Sequence, residues 1–114
     1  MSGFDALRNY EELPFLPEQS PFRVKGVFHR GNLEYIDQVV PGGVEAALAS
    51  LRDERLRAFF RQPFLATQWY DIFPLVAISY PCARLCGKLL SDYLRARSRY
   101  QAEQQRSGIY RQLL

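Results

Sequence analysis

The sequence is poor in the residues that build most metal centres and nucleophilic active sites. It has one histidine, His29, and two cysteines, Cys82 and Cys86, among 114 residues. A structural zinc site takes four ligands at characteristic spacings, and these three residues come from mixed locations. His29 has no serine or cysteine in a recognisable nucleophile motif beside it, so no catalytic triad is indicated. We therefore expect no catalytic activity, no bound metal and no cofactor, with His29 in a surface or capping position.

The two cysteines are too few for a disulfide framework. They stand four residues apart within a helical pattern, where neighbouring side chains rarely reach disulfide geometry. We expect reduced thiols that pack as small hydrophobic side chains, which is the usual state of cysteine in the cytoplasm. The sequence also has no charged stretch followed by an apolar one at its start, so no secretory leader is indicated and a cytoplasmic protein is predicted.

Long uninterrupted apolar runs are missing as well. The most apolar segment, residues 72–90, contains Arg84, Lys88 and two prolines, and it is too short to cross a bilayer. We therefore predict that the protein has no membrane span.

What the sequence does have is a strong helical period between Trp69 and Leu94. Apolar residues recur there at steps of three and four, and they cover more than half of the helix circumference. The pattern predicts a long central helix with a kink or short break near Pro81, because an internal proline cannot donate a helical hydrogen bond. Trp69 is expected to be largely buried at the entry to this helix.

The segments before Trp69 are short, and most of them keep a helical period. Residues 22–28 (FRVKGVF) alternate apolar and polar side chains, which fits a short strand or an extended lead-in. Helices are predicted at about residues 30–39, at 44–51 and from an Asp53 cap to residue 60, with Pro-Gly-Gly at 41–43 and Pro63 as stops. The expected fold class is all-α or nearly so: a small helical bundle around the kinked central helix, with one optional short strand near residues 22–28.

Charge divides the chain unevenly. Residues 1–20 have a net charge of −3, whereas residues 84–114 have a net charge of +5. The sequence predicts an acidic, proline-containing arm over residues 1–21, followed by a single helical domain over residues 22–114. The arm is expected either to dock on the domain or to remain a loose tail, and the sequence does not separate these alternatives.

Part of the positive charge forms a stripe in the helical pattern. On one continuous helix, a narrow face would carry Arg84, Lys88, Arg95, Arg99 and Arg106. Such a stripe suits an acidic protein surface or a phosphate backbone, but a solvated face that pairs with the acidic arm explains it more simply. No helix-turn-helix unit is evident, so nucleic-acid binding is the least favoured function.

Four short motifs give the sequence a resemblance to a known family. They are Val24–Gly26 before a helix, Gly43–Glu45 at the start of an Ala/Leu-rich helix, Pro63–Asp71 (PFLATQWYD) and Gly108–Arg111 (GIYR). In this arrangement, residues 22–114 resemble a myxobacterial paralogous family of uncharacterised domains. The landmarks of the resemblance in this sequence are Gly26, Trp69, Tyr70, Gly108, Tyr110 and Arg111. It implies a sensor-like or protein-interaction module, and it names no activity.

The resemblance also leads to a prediction about assembly. Members of that family continue into a second, sheet-containing half that this sequence does not have, so we expect an apolar face of the central helix to remain uncovered. A twofold homodimer would close it. The expected seam consists of Leu89, Tyr93, Ala96 and Tyr100, spaced by four, three and four.

Two functions are thus expected from the sequence. The first is a non-catalytic protein-interaction or signalling module that acts through helical surfaces and self-associates. The alternative is a small-ligand sensor with an apolar pocket beneath Trp69 and Tyr70.

Overall fold

The computed structural model describes residue 11 and residues 13–107, so the expected landmarks Gly108, Tyr110 and Arg111 lie outside the described residues. Within this part of the chain, the elements are β1 (Arg23–Lys25), α1 (Gly26–Val39), α2 (Gly43–Ala49), α3 (Glu54–Arg61), β2 (Trp69–Asp71), α4 (Phe73–Leu85) and α5 (Leu90–Ser107). The described chain is mostly helical, which confirms the expected fold class at that level, and it includes one two-stranded sheet.

The sheet consists of β1 and β2, paired antiparallel. Arg23 lies opposite Asp71, and Lys25 lies opposite Trp69. The short strand predicted within residues 22–28 is therefore confirmed as β1, whereas β2 occupies residues that the helical period assigns to the start of the central helix. The helix begins instead at Phe73, whose N–H donates to the Asp71 carboxylate at 3.0 Å. Pro74 lies in the first turn of α4, where its missing N–H costs nothing.

Helices α2 and α3 lie within two residues of their predicted bounds, and α1 ends at Val39 as predicted. The predicted start of α1 near residue 30 is wrong, because the helix already begins at Gly26, directly after β1. After α1, the chain turns through Gly42 and Gly43, whose φ angles of 85° and 65° suit glycine. The Asp53 side chain accepts a hydrogen bond from the Arg55 N–H at 2.8 Å, which confirms it as the cap of α3.

The long kinked central helix is not confirmed. The chain remains helical through Pro81, ends α4 at Leu85 and begins α5 at Leu90. Between them Gly87 adopts a φ of 67°, and the Lys88 N–H donates to the Ala83 carbonyl at 3.0 Å. This is the usual glycine-dependent way to end a helix, and it separates the two halves of the predicted helix.

The core lies where α1 packs against α2 and α5, and where α4 packs against α5. Its largest fully buried apolar side chains are Ile36, Leu48, Leu51, Leu56, Ile78 and Tyr93. The ring of Tyr35 lies 5.8 Å from that of Tyr93 and 5.1 Å from that of Tyr100, between ring centroids. Helices α4 and α5 both pack into this core, so the apolar residues of the sequence keep one helical period although the helix is broken between them.

The described part of the arm is docked on the domain. The Glu11 carboxylate accepts hydrogen bonds from the backbone N–H groups of Arg52 and Asp53, at 3.0 and 2.7 Å. Further along, the Glu18 N–H donates to the Asp71 carboxylate at 3.0 Å. These two attachments favour the docked arm over the loose tail for these residues.

None of the helices in the described range combines the length and the apolar character that crossing a membrane requires.

Candidate functional site

Trp69 is exposed, contrary to the expectation that it would be buried. Its side chain is 56% exposed, whereas the next residue, Tyr70, is buried. The difference follows from β2, because successive side chains of a strand point to opposite faces. The helical period places Trp69 on an apolar helix face, but as a strand residue it stands on the outer side of the sheet.

Lys25 covers one face of the Trp69 indole. The two residues are cross-strand partners, and the Lys25 ammonium lies 5.4 Å from the ring centroid. An ammonium over an indole face is attracted by the ring quadrupole, which holds both side chains in place at the surface.

The loop from Phe64 to Gln68 packs on the start of α1 and carries a second exposed apolar side chain. Its carbonyls accept hydrogen bonds along the first turns of α1: Gly26 N–H to Gln68 at 2.8 Å, Val27 N–H to Ala66 at 3.1 Å and Arg30 Nε–H to Phe64 at 2.7 Å. Leu65 is 55% exposed. Lys25, Arg30, Leu65 and Trp69 together are called the Trp69 surface below.

The Trp69 surface is positively charged. Within the described part of the chain, the side chains of Lys25 and Arg30 are exposed and form no ion pair with a carboxylate. Helix α1 begins between them, and its first turn holds no acidic residue. The positive end of the helix dipole therefore adds to the charge of the two side chains.

Behind this surface, His29 lies in a cage of aromatic rings. Its ring stacks on Phe64 with centroids 4.7 Å apart, and the edges of Phe59, Phe60 and Tyr70 surround it. Nε2–H donates to the Asp71 backbone carbonyl at 3.0 Å. The expected surface or capping position of His29 is therefore wrong, because the cage is assembled from α3, the following loop and β2, which are distant in sequence.

The cage keeps His29 neutral. Burial lowers the pKa of His29, and it outweighs the Asp71 carbonyl and the charges of Glu18 and Asp71, which act to raise that pKa. Nδ1 has no hydrogen-bond partner among the described residues. Protonation of Nδ1 would therefore create a buried imidazolium that has no acceptor for its second N–H in the described part of the chain, and this disfavours the charged form.

The space beneath Tyr70 is filled by these rings. The Tyr70 hydroxyl accepts a hydrogen bond from the Leu65 N–H at 2.8 Å, and its ring packs on Phe64 at 4.9 Å. An open groove of about 460 Å³ lies elsewhere, between the arm and α3, and neither Trp69 nor Tyr70 lines it. The expected ligand pocket beneath Trp69 and Tyr70 stays a prediction.

The basic stripe does not form a single helix face. Arg84 belongs to α4, and Lys88 lies in the linker before α5. The other three, Arg95, Arg99 and Arg106, are on α5, where Arg95 pairs with Asp92 and Arg106 with Glu103. The break at Gly87 separates the stripe into two parts.

The expected dimer seam is largely used inside the fold. Tyr93 is buried, and Ala96 and Tyr100 are partly buried against the same core. Leu89, in the linker, is the one member that is mostly exposed, at 72%. The homodimer stays a prediction, and these residues give it little free surface.

The two thiols differ in their surroundings. Cys82 is fully buried, and burial raises the pKa of its thiol to about 11. Cys86 is half-buried, and burial raises its pKa as well. No group of three or more His, Cys, Asp or Glu side chains in the described residues is placed to hold a metal ion.

Comparisons of the chain with models of protein families, with curated proteins and with solved structures found no match. The resemblance to the myxobacterial family therefore stays a prediction.

Proposed function

We propose that the protein is a non-catalytic, cytoplasmic interaction module that binds a partner protein through the Trp69 surface. The observation that carries this proposal is the exposure of two large apolar side chains, Trp69 on β2 and Leu65 in the loop before it, each more than half accessible. Tryptophan and arginine are among the residue types that most often dominate binding energy at protein interfaces. Both are present in this surface.

The loop of the Trp69 surface is also held by hydrogen bonds to the rest of the fold. The loop that carries Leu65 is fixed by three hydrogen bonds to α1 and by the Tyr70 hydroxyl. Association costs less free energy when the contacting groups are already ordered. A loop that is already held in place therefore suits binding better than a mobile one.

Other exposed apolar residues serve as a comparison. Val76 on α4 is 46% exposed, and Leu89 is 72% exposed. Both are aliphatic, and valine and leucine are under-represented among the residues that dominate binding energy. Exposed apolar side chains of this kind are normal on soluble proteins and need no partner.

The test uses two double variants of the full chain that remove similar amounts of exposed apolar surface. The first is Trp69→Gln with Leu65→Ser, and the matched control is Val76→Ser with Leu89→Ser. Proteins enriched from the native cell by the wild type are purified and titrated against all three forms by calorimetry. We expect the first variant to weaken binding by about thirtyfold or more, as loss of a hot spot does, and the control to change it by about twofold or less.

Equal affinity of the wild type and of the Trp69→Gln, Leu65→Ser variant would overturn the proposal. Circular dichroism and thermal unfolding of each variant show whether the fold is intact. Light scattering over a range of concentrations measures the molar mass and so detects self-association. A dimer that the first variant abolishes and the control retains would identify a second copy of this chain as the partner.

A further inference from the structure

We infer that the Trp69 surface selects an acidic segment of its partner, with carboxylates at Lys25 and Arg30 and an apolar side chain on Trp69 and Leu65. The inference rests on the proposed function and specifies the chemistry of the partner. Its basis is the placement of charge around the indole.

Lys25 and Arg30 are not neutralised by carboxylates of the described residues. Seven basic side chains of the described chain form ion pairs with carboxylates of the same chain: Arg23, Arg52, Arg55, Arg57, Arg61, Arg95 and Arg106. Among the described residues, Lys25 and Arg30 form none, and neither do Arg84, Lys88, Arg97 and Arg99. What distinguishes Lys25 and Arg30 is their place at the Trp69 surface, because Lys25 lies over the indole and Arg30 is anchored to the neighbouring loop. The electrostatic potentials of two binding surfaces are usually complementary, so a positive Trp69 surface favours an acidic partner.

The geometry of Arg30 adds a second argument. Its Nε–H donates to the Phe64 carbonyl at 2.7 Å, which anchors the base of the guanidinium beside the loop that carries Leu65. A guanidinium held in this way loses little further side-chain entropy when its remaining N–H groups bind a carboxylate. Lys25 makes a weaker contact, with its ammonium 5.4 Å from the centroid of the indole.

The extent of the positive region separates an acidic peptide from a nucleic acid. Glu34 is exposed one turn beyond Arg30 on α1 and places a negative charge at that end of the region. Lys25 already occupies one face of the indole, where a nucleotide base would stack. A nucleic-acid strand needs cations along a longer track to neutralise successive phosphates. A short acidic segment of protein fits the observed surface better.

The test follows the emission of Trp69, which is the single tryptophan of the chain. The probes are a short synthetic peptide of alternating glutamate and leucine, the same peptide with lysine in place of glutamate, oligothymidylate of equal length, and vesicles of phosphatidylcholine with phosphatidylserine. The variants are Lys25→Glu with Arg30→Glu, and the control Arg84→Glu with Lys88→Glu, which makes the same charge change at exposed positions elsewhere.

We expect saturable binding of the acidic peptide, weakened by added salt. The Lys25→Glu, Arg30→Glu variant should weaken it by about tenfold or more, and the control by about twofold or less. Failure of the acidic peptide to bind, equal binding of the lysine peptide, or equal weakening by both variants would overturn the inference. Tighter binding of oligothymidylate or of vesicles would overturn it in favour of those ligands.

These outcomes are distinct from failure of the proposed function. If the purified native partner loses affinity for the Trp69→Gln, Leu65→Ser variant but not for the Lys25→Glu, Arg30→Glu variant, the surface is an interface and the acidic partner is wrong. If neither variant loses affinity, both proposals are wrong.

Discussion

The backbone oxygen of Asp71 accepts a hydrogen bond at 3.0 Å from Nε2 of His29, the only histidine of the chain. The carboxylate of the same Asp71 accepts hydrogen bonds from the Glu18 N–H of the arm and the Phe73 N–H of α4. This buried pair therefore connects the aromatic cage, the arm and the start of a helix. Loss of these hydrogen bonds should destabilise the part of the fold that supports the Trp69 surface.

Stability should decrease as the pH falls below the ordinary pKa of histidine. Burial lowers the pKa of His29 in the folded protein below 6.5, so at mildly acidic pH the unfolded chain binds a proton that the folded chain does not. The contribution of His29 to the unfolding free energy should thus be constant above about pH 7 and fall between pH 6.5 and the lower folded pKa of His29. Urea titrations at a series of pH values measure this slope.

The control for this prediction is His29→Gln, which keeps a polar side chain and cannot titrate. It should be less stable at neutral pH by about 1–3 kcal/mol, because the hydrogen bond and the ring contacts are lost. The decrease below pH 6.5 should be absent in this variant. An unchanged slope would show that His29 is not the responsible group.

The substitution Asp71→Asn should loosen the arm. An amide offers one acceptor oxygen where the carboxylate offers two, so it cannot satisfy both the Glu18 and the Phe73 N–H groups. We expect a loss of about 1–3 kcal/mol in unfolding free energy and faster hydrogen exchange at the Glu18 amide. Asp92→Asn, which removes an exposed carboxylate paired with exposed Arg95, should cost less than about 1 kcal/mol. Equal costs would contradict the role assigned to Asp71.

Gly26 and Gly31, both on α1, should respond in opposite directions to alanine. A Cβ at Gly26 would lie 2.0 Å from the Leu65 backbone oxygen, so the loop must move away and the unfolding free energy should fall by about 3 kcal/mol. A Cβ at Gly31 would meet only the Gln101 side chain, at 3.7 Å. There alanine should stabilise the helix by about 0.5–1 kcal/mol. Similar effects of the two changes in thermal unfolding would count against the close packing of the loop on α1.

Cys86 should react with a thiol reagent before Cys82 does. Cys82 is fully buried and its thiol has a pKa of about 11, so almost no thiolate is present or accessible near neutral pH. Cys86 is half-buried and should be modified slowly in the folded protein. Peptide mass mapping after limited treatment with a maleimide reports the order. Equal modification of both residues in the folded state would show that α4 is not packed as described.

Local signals in the sequence are sufficient for some of the helix ends. The Asp53 cap and the stop at residues 41–43 depend only on side-chain chemistry and glycine conformation within a few residues. The short strand β1 is recognisable from the alternation in residues 22–28. The cap and the stop are predictable because nothing distant in the chain decides them, whereas β1 also requires its distant partner β2.

The features that sequence patterns miss depend on distant parts of the chain. Trp69 and Tyr70 fit a helical period, and only pairing with β1 makes them strand residues with opposite exposure. The presence of Pro74 shortly after them is the local signal for a helix that begins later than the period suggests. The position of His29 is hidden because its cage comes from three separate segments. The break at Gly87 is also hidden from the apolar period, because the helices before and after it, α4 and α5, both turn their apolar residues to the same core.

The exposure of Trp69 is the feature on which the proposed function depends, and fluorescence of the native full chain measures it directly. With the side chain 56% exposed and no second tryptophan to confuse the signal, we expect emission close to that of an indole in water and efficient quenching by acrylamide. A complex with a purified partner should shift the emission to shorter wavelength and protect the ring from the quencher. Short-wavelength emission and weak quenching in the free protein would contradict the account.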